Sequence, residues 1–311
     1  MKKPDLGLDL LMHFDHAQLS ALAAILRSGS FDSAAAALGV TQSAVSQRIK
    51  ALEERVGTPL VRRGQPCTGT ETGRRLVAHL DQVGLLEQAL ARDLGSEAPR
   101  PARLRIAVTA DSLATWFLSA AATQPDLLFD LVVDDQDFSA DWLRRGEAVA
   151  AVTAHETQVA GCDSTPLGAL RYLATASPAY MARWFGNGVT ATAIARAPML
   201  HFDAKDRLQH HWMMTHLGQA PTPPSHRLPS SQGFVRACLL GLGWGMNPEP
   251  LVRDHIAAGR LVPLLPDAAR DVALFWQTSR LLAPALAPLT RAVRAATKSA
   301  LIGPQIARLR G

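Results

Sequence analysis

Two sets of residues in this 311-residue chain have the types and spacing to do chemistry. The first lies in TQSAVSQRIKALEERVG, Thr41 to Gly57, where Val45, Ile49, Leu52 and Val56 fall on one helical face. The opposite face begins with the short donors and acceptors Gln42, Ser43, Ser46 and Gln47, continues with Arg48 and Lys50, and only then reaches the acids Glu53 and Glu54. An ordinary solvated face favours Lys and Glu throughout, so this order suits a helix whose N-terminal half enters a groove lined by phosphates. A solvated helix that happens to be rich in Ser and Gln is the simpler alternative. The second set is acidic. VTADSLATW puts Asp111 and Ser112 at a helix start after a strand, VDDQD ends the next strand with Asp134 and Asp135, and HFDAKD puts Asp203 and Asp206 after a third. Free helix amides and the Ser112 hydroxyl suit an α-carboxylate, and carboxylates gathered at strand ends suit a cationic group, more strongly in a desolvated cleft. Taken one at a time, each of these side chains is equally an N-cap or turn residue.

Other chemistry lacks its apparatus. His201, His210, His211 and His216, with Met213 and Met214, suggest a metal site, but HHWMMTH has no i, i+4 His pair to put two ligands on one face, so no metal is expected. Cys67, Cys162 and Cys238 are odd in number and widely spaced, which implies a reducing compartment without a disulfide framework. A redox switch between Cys162 and Cys238 stays open as an alternative. No Gly-rich phosphate loop, nucleophile elbow or zinc-protease motif occurs, so neither catalysis nor a cofactor is expected. With no signal peptide and no membrane-length apolar run, the expected location is the cytoplasm, with no membrane partner. The formal charge of +5 and 48% hydrophobic content indicate a globular chain that tolerates an anionic partner. Lys and Arg outnumber Asp and Glu between Arg27 and Arg75, around the first set.

The elements that must position these residues follow from pattern. His16 to Ser28 reads as an amphipathic helix ended by Gly29; Ser30 caps a second helix in SFDSAAAALG, whose alanines permit close helix contact; Gly39 stops it and Thr41 caps the third. Helix, tight turn and second helix at this spacing is the helix-turn-helix pattern, whose second helix enters the DNA major groove. Thr41 and the first-turn amides then face phosphate, and Gln42, Ser43, Ser46 and Gln47 are of types that reach base edges. TPLVRRGQPCTGTETG supplies two short extended pieces, a wing whose Arg62 and Arg63 track the backbone. Glu71 to Leu94 is one long helix with a stripe of Leu76, Leu80, Val83, Leu86, Leu90 and Leu94, which must pack on the first domain or on its own copy across a two-fold axis. GSEAPRPAR, with Gly95, Pro99 and Pro101, reads as a hinge. Beyond Arg103, strands and helices alternate as in a parallel α/β unit, closing with an Ala-rich helix from about Pro284 to Leu301.

FDSAAAALGVTQSAVSQRIKALEERVGTPLVRR resembles the winged helix-turn-helix of the LysR-type transcriptional regulators almost position for position. ADSLATW, LRRGEAVAAV, LGALRYL, NGVT, APMLHFD and SSQGFV extend the resemblance to the ArgP/LysG subgroup, which senses basic amino acids and controls their export. The fold so implied is α+β overall: a mainly α winged helix-turn-helix over residues 1–70, a linker and dimerisation helix with hinge over 71–100, and an α/β, two-lobed, periplasmic-binding-protein-like effector domain over 101–311. Its lobe I spans about 101–170 and 270–303, and its lobe II about 171–269. The resemblance also implies Ser30 and Ser33 at the DNA, and Ser230 and Ser231 of SSQGFV beside the effector. The partners implied are promoter DNA, lysine or arginine, a second copy or tetramer of the chain through the leucine stripe, and RNA polymerase. A thiol-based redox regulator, and a solute-binding or enzymatic α/β domain that does not bind DNA, are the competing readings.

Overall fold

The helices of the N-terminal part begin and end where capping chemistry requires. The computed structural model describes residues 13–96, 101–133, 139–154 and 156–303, and by backbone contacts divides into an N-terminal unit that runs to Leu104 and includes Arg145–Glu147, and a C-terminal unit. In the first unit α1 (His16–Ser28) starts at Asp15, whose carboxylate accepts from the Ala17 and Gln18 amides at 2.7 and 3.0 Å. α2 (Phe31–Leu38) is capped by Ser30, which accepts from Ser33 N at 3.0 Å, and α3 (Gln42–Val56) by Thr41, which accepts from Ala44 N at 3.2 Å. The left-handed turn between α1 and α2 requires glycine on two counts: Gly29 has φ +77°, and a Cβ there would lie 2.8 Å from the Pro66 Cβ.

Leu22, Ile25, Ala34, Val45, Ile49, Leu52 and Leu60 close the core of this unit, each without measurable exposure except Ile49 at 2%. Complete burial of each large aliphatic side chain contributes roughly 1.5–3 kcal/mol. Ala34 and Ala35 let α2 approach its neighbours, as their small size requires. The wing is the hairpin of β1 (Val61–Arg62) and β2 (Thr68–Gly69), antiparallel with Val61 opposite Gly69.

α4 (Glu71–Asp93) carries the leucine stripe, and the structure divides it. Leu76 is buried in the first unit's core and Leu80, half-buried, packs against that core, so both help hold α4 to its own unit. The sequence left open whether the stripe packs on the first domain or on a second copy; periodicity marks an apolar stripe but not which body covers each turn. Leu86, Leu90 and Leu94 stand 42, 58 and 70% exposed, and Val83 is half-buried. The hinge expected around Pro99 falls on residues 97–100, outside the described residues.

The second unit is built on a seven-stranded sheet. In chain order its elements are β3 (Ala102–Val108), α5 (Ala110–Ser112), a π-helical turn Leu113–Phe117, α6 (Leu118–Ala121), β4 (Leu127–Val133), α7 (Ser139–Arg144), β5 (Ala150–Thr153) and β6 (Cys162–Ala176). α8 (Pro178–Phe185), α9 (Ala191–Ile194), β7 (Met199–His201), α10 (Leu208–Leu217), β8 (Ser225–Arg227), α11 (Ser231–Leu239), β9 (Gly245–Pro248), α12 (Glu249–Ala257), β10 (Val262–Pro263), β11 (Arg270–Ser279) and α13 (Ala283–Ala300) follow. The strand order is β10-β6-β11-β5-β3-β4, with β9 also on β6. β3 and β5 are parallel, as the alternating pattern requires, whereas β11 is antiparallel to both β5 and β6.

β6 and β11 are long because both lobes use them. The Ser279 end of β11 pairs with β5, while the Ala176 end of β6 pairs with β9 and β10. Their register shifts at Leu274/Phe275, opposite Gly168, whose φ is +123° and whose Cβ position lies 2.4 Å from the Ile302 carbonyl oxygen. The small parallel pair β7-β8 completes the second lobe, with Leu200 N donating to the Trp244 carbonyl at 2.8 Å. Lobe I is packed by Trp276 and Phe117, with ring centroids 6.3 Å apart, and lobe II by Trp212 and Trp244 at 5.5 Å. Among the described residues no helix is long and apolar enough to cross a membrane.

Candidate functional site

On α3 the division of faces is as the sequence implies. Val45, Ile49 and Leu52 are buried; Gln42, Ser43, Gln47 and Lys50 are exposed, with Ser46 and Arg48 half-buried at the margin. Thr41 answers the Ala44 amide, while its exposed position keeps the start of the helix at the surface. Ser30 and Ser33 are joined hydroxyl to hydroxyl at 2.8 Å at the start of α2. Arg62 and Arg63 are exposed on the wing, and the Arg63 guanidinium lies 5.3 Å from the ring centre of Phe31, a cation–π contact that limits its wandering. Glu53 is not a free acid: its Oε1 accepts from Leu60 N at 2.7 Å and ties the end of α3 to the wing. The whole surface is thus polar or basic and held on rigid elements, the requirement for reading a duplex.

In the second unit a cavity of about 370 Å³ opens where the carboxyl ends of several strands converge. Thr109 and Asp111 follow β3, Ala154 follows β5, Phe202 and Asp206 follow β7, and Met246 lies in β9. Asp111 organises one wall. Its two carboxylate oxygens accept from Ser231 Oγ at 2.6 Å and from the Tyr172 hydroxyl at 2.7 Å. Burial raises the Asp111 carboxyl above its ordinary value of 3.8; the Ser231 and Tyr172 hydrogen bonds oppose the shift, and the Asp206 charge adds to it. A cation placed between these acids relieves both the burial and the repulsion.

The sequence-expected effector residues divide accordingly. Asp206 and Ser231 line the cavity. Asp206 accepts the amides of Phe202 at 2.9 Å and Leu208 at 3.1 Å, which fixes its direction. Ser112 does not line the cavity. It is fully buried, its amide and hydroxyl both engaged with Thr109, because Thr109 takes the cap position that the sequence reading gave to the residues after it. Asp203 also stands off the wall, accepting the Lys205 and Asp206 amides as a turn residue, and Ser230 is the exposed N-cap of α11, accepting from Gly233 N at 3.1 Å. Asp134 and Asp135 lie outside the described residues. Sequence reasoning passed over Tyr172 and Arg270 and credited Ser112 where its neighbour Asp111 faces the cavity; the strand-end position was the available signal, but which side chain turns inward is decided by tertiary packing.

Cys162 and Cys238 are buried in separate core clusters, and burial pushes both thiols up, Cys238 to about 12. Neither is therefore ionised near neutrality, the condition a redox-sensing thiol needs. Among the described residues no cluster of three His, Cys, Asp or Glu side chains is placed to hold a metal ion.

Residues 97–298 match the family model of the LysR substrate binding domain, and residues 16–74 that of the bacterial regulatory helix-turn-helix proteins of the lysR family. The chain is 47% identical over 272 residues, 85% of its own length and 89% of the relative's, to the HTH-type transcriptional regulator ArgP of Pseudomonas fluorescens. It matches the crystal structure of ArgP from Mycobacterium tuberculosis with a TM-score of 0.76 and 43% identity, covering 94% of this chain and 100% of that one. A full-length LysG from Corynebacterium glutamicum with bound effector Arg matches with a TM-score of 0.63 and 36% identity, covering 93% and 99%.

Proposed function

This chain belongs to the LysR family of helix-turn-helix transcriptional regulators, and from that premise we propose that it is tuned by a basic amino acid, lysine or arginine, and governs an amino-acid exporter gene. In this reading α3 lies in the major groove of promoter DNA with Gln42, Ser43, Ser46 and Gln47 at base edges, while Thr41, Arg48, Lys50, Arg62 and Arg63 face phosphates. Ser30 and Ser33 at the start of α2 complete the backbone contacts. The regulator works in the cytoplasm, as a dimer or tetramer with RNA polymerase as a further partner. Val83, Leu86, Leu90 and Leu94 on α4 form the seam between copies.

The observation that carries the effector assignment is the presence of both Asp111 and Asp206 on the wall of one cavity, where the Asp206 charge adds to the burial that raises the Asp111 carboxyl. Two acids on one cavity wall, one of them desolvated, favour a ligand that brings positive charge. The arginine-bound state of the Corynebacterium glutamicum LysG supports the same class of ligand. The test is calorimetric titration of the full chain with lysine, arginine, ornithine, leucine and glutamate, followed by fluorescence anisotropy of a labelled upstream duplex with and without the ligands that bind. Lysine or arginine should bind far more tightly than leucine or glutamate and shift the DNA-binding curve. Equal binding of leucine and lysine would sink the assignment.

A further inference from the structure

One donor on the cavity wall is left unanswered. The Nε of Arg270, the first residue of β11, is buried and has no hydrogen-bond partner. A guanidinium nitrogen taken out of water without an acceptor is costly, and such groups are rare unless something outside the chain completes them.

Strand register shows why the chain itself does not complete it. Arg270 stands directly opposite Tyr172 of β6, and Asp271 opposite Arg171. Side chains alternate across a strand, so Tyr172 and Arg270 share one face of the sheet while Arg171 and Asp271 share the other. On that other face Arg171 and Asp271 meet fork to fork, both N–H···O contacts at 2.8 Å, so the acid next to Arg270 in sequence already holds a guanidinium. On the cavity face the Tyr172 hydroxyl donates to Asp111. Lys205 and Arg207, the other cations on the wall, are exposed, whereas Arg270 is set into it. Among its described residues the cavity wall thus carries two unlike groups: the acids Asp111 and Asp206, and an inset cation, Arg270, whose planar fork matches a carboxylate.

We infer that Arg270 is the carboxylate receptor of this cavity, taking the α-carboxylate of the effector while Asp111 and Asp206 take its cationic group. Arg270 therefore sets the discrimination between a basic amino acid and the amine that remains when its carboxylate is removed. This assignment rests on the reading of the cavity as a basic amino-acid site. It adds a second requirement to that reading, because positive charge alone is then an insufficient ticket for entry.

The experiment is calorimetric titration of the full chain with lysine and arginine and with their decarboxylated counterparts cadaverine and agmatine. It uses wild type, Arg270→Gln and Arg270→Lys, each checked by thermal unfolding. Wild type should prefer the amino acids by about thirtyfold or more, the low end for losing one partner of a buried charge pair. Arg270→Gln should erase the preference by weakening the amino acids while leaving the amines unchanged or improved. Arg270→Lys keeps the charge without the fork and should retain part of the preference; it carries the comparison if the Gln variant does not fold. Wild type binding amino acids and amines alike overturns the assignment of Arg270 while leaving the cationic reading in place. So does a preference that survives undiminished in either variant. Wild type binding none of the four overturns the basic amino-acid reading, and this assignment with it.

Discussion

Replacing Asp111 by Asn tests the acidic end of the cavity. The substitution keeps the size of the side chain but removes its charge and one of its acceptors, where the carboxylate now receives both Ser231 at 2.6 Å and Tyr172 at 2.7 Å. A bound ammonium or guanidinium would lose its most desolvated partner, so lysine affinity should fall by roughly 2–5 kcal/mol, about thirtyfold to several thousandfold. The pH dependence has a definite sign. Burial raises the Asp111 carboxyl in the folded chain above 3.8. Its stabilising contribution to the empty protein is therefore whole below the unfolded value and is lost as pH rises through the folded value. The stability of the wild type relative to the Asn variant should decline across that window. Effector binding runs the other way, because a cation selects the ionised carboxylate: wild-type lysine affinity should climb over the same window, with a proton released on binding. Titration calorimetry in two buffers of different ionisation enthalpy reads the proton directly, and thermal unfolding against pH reads the stability. Equal lysine affinity for the two proteins, or the same proton release from both, would refute the reasoning.

Gln42→Ala or Ser46→Ala should cost about 1–3 kcal/mol at the cognate duplex and less at random sequence, whereas Arg62→Ala or Arg63→Ala should weaken all duplexes alike and flatten the salt dependence; anisotropy at several salt concentrations separates them. The double substitution Leu86→Asp with Leu90→Asp should shift sedimentation toward monomer with folding intact, whereas Leu76→Asp, which puts a charge into the core of the first unit, should lower its unfolding temperature instead. Gly29→Ala should destabilise the first unit by about 1–3 kcal/mol, because it combines an unfavourable φ of +77° with a close approach to Pro66, and denaturant unfolding measures the loss.

The DNA-reading part was legible in the sequence because every signal in it is local. Caps at Ser30 and Thr41, stops at Gly29 and Gly39, and the Val45–Ile49–Leu52 face all lie within one or two helical turns of what they control. The cavity is of another kind. Asp111, Tyr172, Ser231 and Arg270 come together only through the register of β6 against β11 and the packing of α11, and neither is written in periodicity. Strand ends pointed at Asp206 and at the neighbourhood of Asp111, both of which the structure places on the cavity wall, but the choice between Asp111 and Ser112 depends on which residue caps the helix, and Thr109 does. The α4 stripe was ambiguous for a similar reason: Leu76 and Leu90 look alike in sequence and differ only in what covers them.

Glu53 gives the reading head a fixed gauge. Its carboxylate grips the Leu60 amide where the wing begins, Cys67 N is held by the Gly29 carbonyl at 2.7 Å where the wing returns, and Thr70 N closes on the Leu60 carbonyl at 3.0 Å. With the hairpin pinned at its root and along its return, the strand that carries Arg62 is tied to the end of α3 that carries Glu53. In the proposed reading, in which Arg62 and Arg63 face the duplex, a groove that narrows or widens has to be matched to that spacing. Loosening the pin at Glu53 would therefore alter which groove widths are accepted before it altered which bases are preferred.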